Sequence, residues 1–226
     1  MRTRFRDRRE AGVLLARELT PYADRSDVIV LGLPRGGVPV AFEVASALDA
    51  PLDVFVVRKL GLPGHDEFAM GAIASGGARL LNRDVIRQFD VSAQDLGAVT
   101  GIEMRELERR EHLYRGGAPF IDVANKTVIL VDDGIATGSS MAVAVNALRR
   151  DEPREIVTAA PIASIEAAEL LSRVADDCAF VTVPEYFGSV GAWYYDFRPT
   201  GDDEVRDLLS RSRRRVPNGS LTLASA

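Results

Sequence analysis

The chain has 226 residues, 46% apolar and 27% charged, with a net charge of −5, which is the composition of an ordinary globular protein large enough for one sizeable core. The acidic balance argues against a general nucleic-acid partner, because phosphate binding rests on Lys and Arg, and no apolar run reaches the length of a membrane span. A single cysteine, Cys178, excludes an internal disulfide, and the charged N-terminus has no apolar signal-peptide core, so a cytoplasmic location is expected.

In chain order, "REAGVLLARELTPY" (residues 9–22) carries apolar residues at helical spacing and a proline stop, which predicts a helix. "DVIVLGLPRGG" (27–37) is a β-branched strand breaking into a glycine-rich loop. Residues 38–49 predict a helix and "LDVFVVRKL" (52–60) a second strand. "GLPGHDEF" (61–68) reads as a polar loop, and residues 69–82 as short strands around a turn at Gly76-Gly77. Residues 83–115 are rich in Glu and Arg, with helical spacing in their second half. Strands follow at 126–133, 155–163 and 178–186, separated by helices at 140–150 and 164–174. The basic runs at Arg2–Arg9 and Arg211–Arg215 read as solvated termini, and the polar tail is expected to begin after Leu209.

The repeated unit is strand, loop, helix, and the strands are continuous apolar runs rather than alternating ones. Both features predict an α/β fold: a parallel sheet covered by helices on both faces. Ligands of such sheets bind at the carboxyl ends of the strands.

The densest chemistry lies in "TVILVDDGIATGSSM" (127–141). Asp132 and Asp133 end a buried strand, where two carboxylates without partners are costly. The loop after them offers backbone N–H groups and the hydroxyls of Thr137, Ser139 and Ser140 beside a helix N-terminus, an arrangement suited to an anion. It lacks the G-x-x-x-x-G-K-[ST] spacing of a triphosphate loop. A vicinal diol next to a phosphate satisfies both halves, as in a ribose 5-phosphate. The plain alternative is a strand–helix turn with an aspartate cap.

"VILVDDGIATGSS" resembles the 5-phosphoribosyl 1-diphosphate (PRPP) signature of the type I phosphoribosyltransferases. The resemblance implies a parallel-sheet core over residues 1–209 as one domain and a small hood subdomain. The hood is expected mainly near 183–200, with the N-terminal region as a further contributor, and residues 210–226 as a polar tail. It implies that Asp132 and Asp133 hold the ribose hydroxyls, and that Ala136, Thr137, Gly138, Ser139 and Ser140 hold the 5′-phosphate. "LPRGGVPVA" (33–41) is similar to the family's pyrophosphate loop, with Arg35, Gly36 and Gly37 at the diphosphate. "VVRKLGLPGHDEFAMGA" (56–72) matches the position of a mobile loop that closes over the site. By position it brings Arg58 and Lys59 to the diphosphate, with His65, Asp66 and Glu67 as further candidates. Lys59 is one of only two lysines in the chain.

"VPEYFGSVGAWYYDF" (183–197) holds six of the fifteen aromatics. On its own terms it is either a packed aromatic cluster or a platform for a base. It resembles the hood of hypoxanthine-type enzymes, which would make Phe187 the base-stacking residue and Asp196 a contact to Mg²⁺. The lysine with which those enzymes read a 6-oxo group has no counterpart in "AAPIASIE" (159–166), so the acceptor base, purines among the candidates, stays open.

Arg35, Lys59, Asp132 and Asp133 are thus the expected catalytic residues of a Mg²⁺-dependent transfer from PRPP to a nitrogenous base. A homodimer is a further family expectation. A regulatory protein that binds PRPP or a nucleotide without transfer, and a hydrolase using the same ribose-phosphate site, are the other readings.

Overall fold

The computed structural model of the protein describes residues 4–215. Its centre is a five-stranded sheet made of β1 (Val28–Gly32), β2 (Leu52–Val54), β6 (Thr127–Val131), β7 (Glu155–Ile162) and β8 (Asp177–Thr182). The order is β2-β1-β6-β7-β8 and every pairing is parallel. All five residues of β1 and of β6 are buried, because successive side chains enter opposite layers. Val28, Val30, Ile129 and Val131 face one core. It is built with α1 (Arg8–Glu18), α2 (Gly37–Leu48) and α7 (Asp202–Arg215). Ile29, Leu31, Val128 and Leu130 face the other core, covered by α5 (Ser139–Leu148) and α6 (Ile165–Leu171). A sheet buried on both faces explains why its strands read as unbroken apolar runs.

Residues 52–68 depart from the expected elements, and the strand expected at 178–186 ends at Thr182. Residues 52–60 form two strands rather than one: β2 stays in the parallel sheet, and the chain leaves it at Phe55 and Val56. There the Phe55 N–H donates to the Gly32 carbonyl (3.0 Å), while the Val56 N–H donates to Ser75 Oγ (2.9 Å). β3 (Val57–Leu62) then joins β4 (His65–Ala74) and β5 (Ala78–Leu81) in a separate antiparallel sheet. The expected loop at 61–68 is therefore a tight hairpin around Pro63 and Gly64, with Gly64 at φ 78°. The side chains of Asp66 and Glu67 lie outside the described residues.

The 83–115 segment forms α3 (Arg83–Gln88) and α4 (Ala93–Arg115). Its anchor is Arg115, 4% exposed. The guanidinium Nε meets both oxygens of Asp53 at 3.1 Å, Nη1 meets Glu111 (2.7 Å), and Nη2 donates to the Val54 carbonyl (2.8 Å). One side chain thereby ties the end of α4 to β2.

The last helix, α7, runs to Arg215, past the expected start of the tail. Val205, Leu208, Leu209 and Ser212 are buried, an i, i+3, i+4, i+7 stripe that docks an otherwise charged helix. Acidic Asp202, Asp203 and Glu204 fill its first turn and arginines its last, which complements the helix dipole. No helix among the described residues is long and apolar enough to cross a membrane.

Candidate active site

The chain leaves β1 toward β2 on one side and leaves β6 toward β7 on the other. β1 and β6 are neighbours, with Gly32 opposite Val131. This reversal is the switch point of an open α/β sheet, and it opens a crevice at the strands' carboxyl ends. Both loops singled out in the sequence line it: 33–37 after β1 and 132–138 after β6.

The two loops pack directly on each other. The Leu33 N–H donates to the Val131 carbonyl at 2.8 Å. A Cβ on Gly36 would sit 2.0 Å from Asp133 Oδ2, and one on Gly37 would sit 2.6 Å from the Val131 carbonyl oxygen. The glycines at 36 and 37 are thus required by the β6 loop itself, apart from any ligand. We expect Gly36→Ala to displace the Asp133 carboxylate and, on the ribose-phosphate reading of these loops, to weaken binding of that ligand by roughly tenfold, the equivalent of one hydrogen bond to a charged group. Calorimetry with ribose 5-phosphate checks this; an unchanged affinity refutes it.

Asp132 and Asp133 are both half-buried. The Asp133 N–H donates to Asp132 Oδ1 at 2.8 Å. Burial, and then the adjacent Asp133 charge, push the Asp132 carboxyl well above the ordinary aspartate value. Burial also raises Asp133, against the pull of a nearby arginine. Two carboxylates deprived of water favour a partner that donates hydrogen bonds.

That arginine is Arg8, at the first position of α1. Its Nε and Nη2 both reach Asp133 Oδ2 at 2.7 Å. Nη1 donates to the Arg198 carbonyl (2.8 Å), and the guanidinium lies 4.1 Å from the Phe197 ring centre. The Tyr194 hydroxyl donates to the Asp133 carbonyl at 2.6 Å, and Tyr194 stacks on Phe197. Residues 5 and 6 pair with the 193–196 segment: the Phe5 N–H donates to Trp193 and the Tyr195 N–H to Phe5. In the sequence Arg8 lies within a basic run that reads as solvated, and nothing there sets Tyr194 apart from the other aromatics of 183–197. A signal for Arg8 was its place one residue past Asp7, whose side chain caps the helix (2.8 Å to the Glu10 N–H).

The anion loop is open. Ala136, Thr137, Ser139 and Ser140 are exposed, and Gly138 is buried. Gly138 takes φ 73° at the N-cap of α5 and brings no capping side chain; the Ser139 N–H reaches only Thr137 Oγ1 within the loop, at 3.4 Å, which leaves the first turn of α5 as an anion-suited helix N-terminus. The loop is pinned from behind. The Ile135 N–H donates to the Ile162 carbonyl (2.8 Å), and the Ser164 hydroxyl donates to the Ala136 carbonyl (2.7 Å).

The remaining expected residues are more scattered. Arg35 is exposed and leans toward Asp202, 4.0 Å away. Arg58 pairs with Glu103 of α4, Nε to Oε2 at 2.7 Å, so it braces the hairpin against that helix. Lys59, next along β3, is exposed and belongs to the opposite face of the strand. His65 packs against Phe68 and Phe89. Phe187 is half-buried against the cluster of Phe5, Ile162, Trp193 and Tyr194, and its carbonyl accepts from Trp193 Nε1 at 2.9 Å. Arg198 forks the Asp196 carboxylate at 2.6–3.1 Å and holds it below the usual aspartate range.

A parallel α/β sheet with paired acids and an open helix N-terminus at its switch point is an arrangement suited to a small phosphorylated ligand. The comparisons with known proteins narrow this further. A family model described as the phosphoribosyl transferase domain matches residues 11–191. Two relatives in Mycobacterium tuberculosis, strains CDC 1551 / Oshkosh and H37Rv, each carry the description "Putative phosphoribosyl transferase". Both are 43% identical over 210 residues, 93% of this chain and 47% of theirs, so the chain spans about half the length of these relatives. The crystal structure of TT1426 from Thermus thermophilus shares 43% identity at a TM-score of 0.81, covering 92% of this chain and 99% of that one. The chain belongs to the phosphoribosyltransferase family.

Proposed function

We propose that the protein transfers the 5-phosphoribosyl group of PRPP to a nitrogenous base and releases pyrophosphate. The observation that carries the reading is the switch-point pair: two water-poor carboxylates followed within five residues by an uncapped helix N-terminus. One ligand bearing a diol and a phosphate meets both needs.

In this reading the N–H groups of 137–140 and the hydroxyls of Thr137, Ser139 and Ser140 bind the 5′-phosphate. Asp132 and Asp133 accept from the ribose hydroxyls. As the bond from C1 to the diphosphate breaks, the ring gains cationic character, and the two carboxylates favour it electrostatically. Arg35, Lys59 and the Gly36 amide take up the charge of the departing pyrophosphate, while the Gly37 N–H donates to the Leu33 carbonyl at 3.0 Å. The β3–β4 hairpin is the element that would cover the site and keep water from the activated ring.

Mg²⁺ fits this site as an ion carried in on the diphosphate. Among the described residues no three His, Cys, Asp or Glu side chains gather around one point, and Asp196, the one carboxylate expected to touch it, is forked by Arg198. Mg²⁺ commonly takes one or two carboxylates plus substrate phosphates and water. When bound it neutralises the leaving group.

One observation favours a second reading, a protein that binds PRPP or a nucleotide without transfer. Arginines expected at the diphosphate lie beside acids: Arg58 on Glu103, and Arg35 toward Asp202.

Incubation with PRPP, Mg²⁺ and a panel of purine, pyrimidine and other nitrogenous acceptors separates the two. We expect pyrophosphate and a new nucleotide by mass spectrometry. PRPP binding without either product would establish the non-catalytic reading. Absence of PRPP binding would refute both.

A further inference from the structure

We infer that Arg8 is a positioning residue for the ribose-binding carboxylate Asp133, and that through it the N-terminal arm is part of the substrate site. This rests on the ribose-phosphate reading of the crevice. Two of the three guanidinium nitrogens converge on a single oxygen, Oδ2 of Asp133, at 2.7 Å. The third is held by the Arg198 carbonyl and the group is covered by Phe197. Both partners of the pair are largely buried, with side-chain exposures of 12% and 13%. Oδ2 is also the atom that leaves no room for a side chain at Gly36. It is fixed between a cation and a backbone, which directs the other oxygen, Oδ1, to the ligand.

Lysine cannot reproduce this arrangement. It offers one compact charge and no planar fork to stack on Phe197 while meeting two acceptors. The contacts also join three parts of the chain, α1, the β6 loop and the 193–198 segment, at the diol end of the crevice. The phosphate end, 136–140, is held separately by Ile162 and Ser164. Arg8 is therefore expected to affect recognition of the sugar and not of the phosphate.

The experiment compares ribose 5-phosphate with inorganic phosphate by calorimetry, in the wild type, Arg8→Met and Arg8→Lys. Methionine retains an apolar cover over Phe197, and melting curves confirm folding. The wild type should prefer ribose 5-phosphate. Arg8→Met should lose roughly tenfold in ribose 5-phosphate affinity, the usual scale of one charge-assisted contact, with phosphate affinity unchanged. Arg8→Lys should recover only part. In the transfer assay the KM for PRPP should rise and the acceptor KM should not. If the wild type prefers the sugar phosphate and Arg8→Met keeps that preference, or if both ligands weaken equally, the assignment to Arg8 is overturned and the site reading stands. If the wild type shows no preference for the sugar phosphate, the site reading falls and the assignment falls with it.

Discussion

On the proposed reading, replacing Asp132 and Asp133 together with asparagine should abolish PRPP binding and leave the protein folded. Each carboxylate is expected to accept from a ribose hydroxyl, and a hydrogen bond to a charged group is worth about 1.5–3 kcal/mol. Two of them amount to roughly 3–6 kcal/mol, or 10²- to 10⁴-fold in affinity. Calorimetry with PRPP and Mg²⁺ reads the loss; a double variant that binds like the wild type would disprove the assignment of the diol site. Stability should respond differently at the two positions. The Asp132 carboxyl is raised by burial and by Asp133, so its native form holds a proton to higher pH than the unfolded chain does. Between the two pKa values the folded state binds more protons, and stability falls as pH rises. Asp132→Asn removes that loss, so its Tm near neutral pH should rise above the wild type's and the acid side of its stability profile should flatten. Asparagine can still accept the Asp133 N–H through its side-chain oxygen. Asp133→Asn gains less, because it leaves Arg8 facing a neutral group.

The second large effect lies away from the crevice. Arg115→Met should cost about 3–5 kcal/mol, the scale for breaking a buried ion pair by removing one partner. Against a typical total of about 5–15 kcal/mol, that is a severe loss. The substitution strands Asp53, which is 5% exposed and already raised by burial even with Arg115 beside it. It also removes the donor to the Val54 carbonyl. Urea unfolding gives the magnitude. Limited proteolysis gives the location: cleavage should rise across 83–121, since Arg115 is what fastens the end of α4 to β2. Adding Asp53→Asn should recover part of the loss by removing the stranded charge. A cost under about 1 kcal/mol would mean that packing, not this pair, anchors the segment.

The parallel core was legible because each central strand is an apolar run buried on both faces, a pattern that survives in one dimension. The break at Phe55 was not, since "LDVFVVRKL" stays apolar while it passes from one sheet to another. The hairpin at 61–68 reads as a loop because a two-stranded edge facing solvent on one side tolerates polar residues. Helix α7 was hidden by its charge, although Val205, Leu208, Leu209 and Ser212 carry helical spacing. Within the site, the paired acids and the 136–140 loop are contiguous in the chain, and so were visible together. Arg8 meets Asp133 across 125 positions, and no local pattern encodes such a contact.

That long reach has a consequence for biosynthesis. Arg8 closes on the Arg198 carbonyl across 190 positions, and Phe5 pairs with Trp193 and Tyr195. At about 5–20 residues per second on the ribosome, the first turn of α1 waits roughly 10–40 s for these partners to be made. During that interval the sheet from β1 to β6 can assemble and Asp133 can already meet Arg8. The clasp around them stays open until the 193–198 segment emerges, so the crevice is among the last parts of the molecule to be completed.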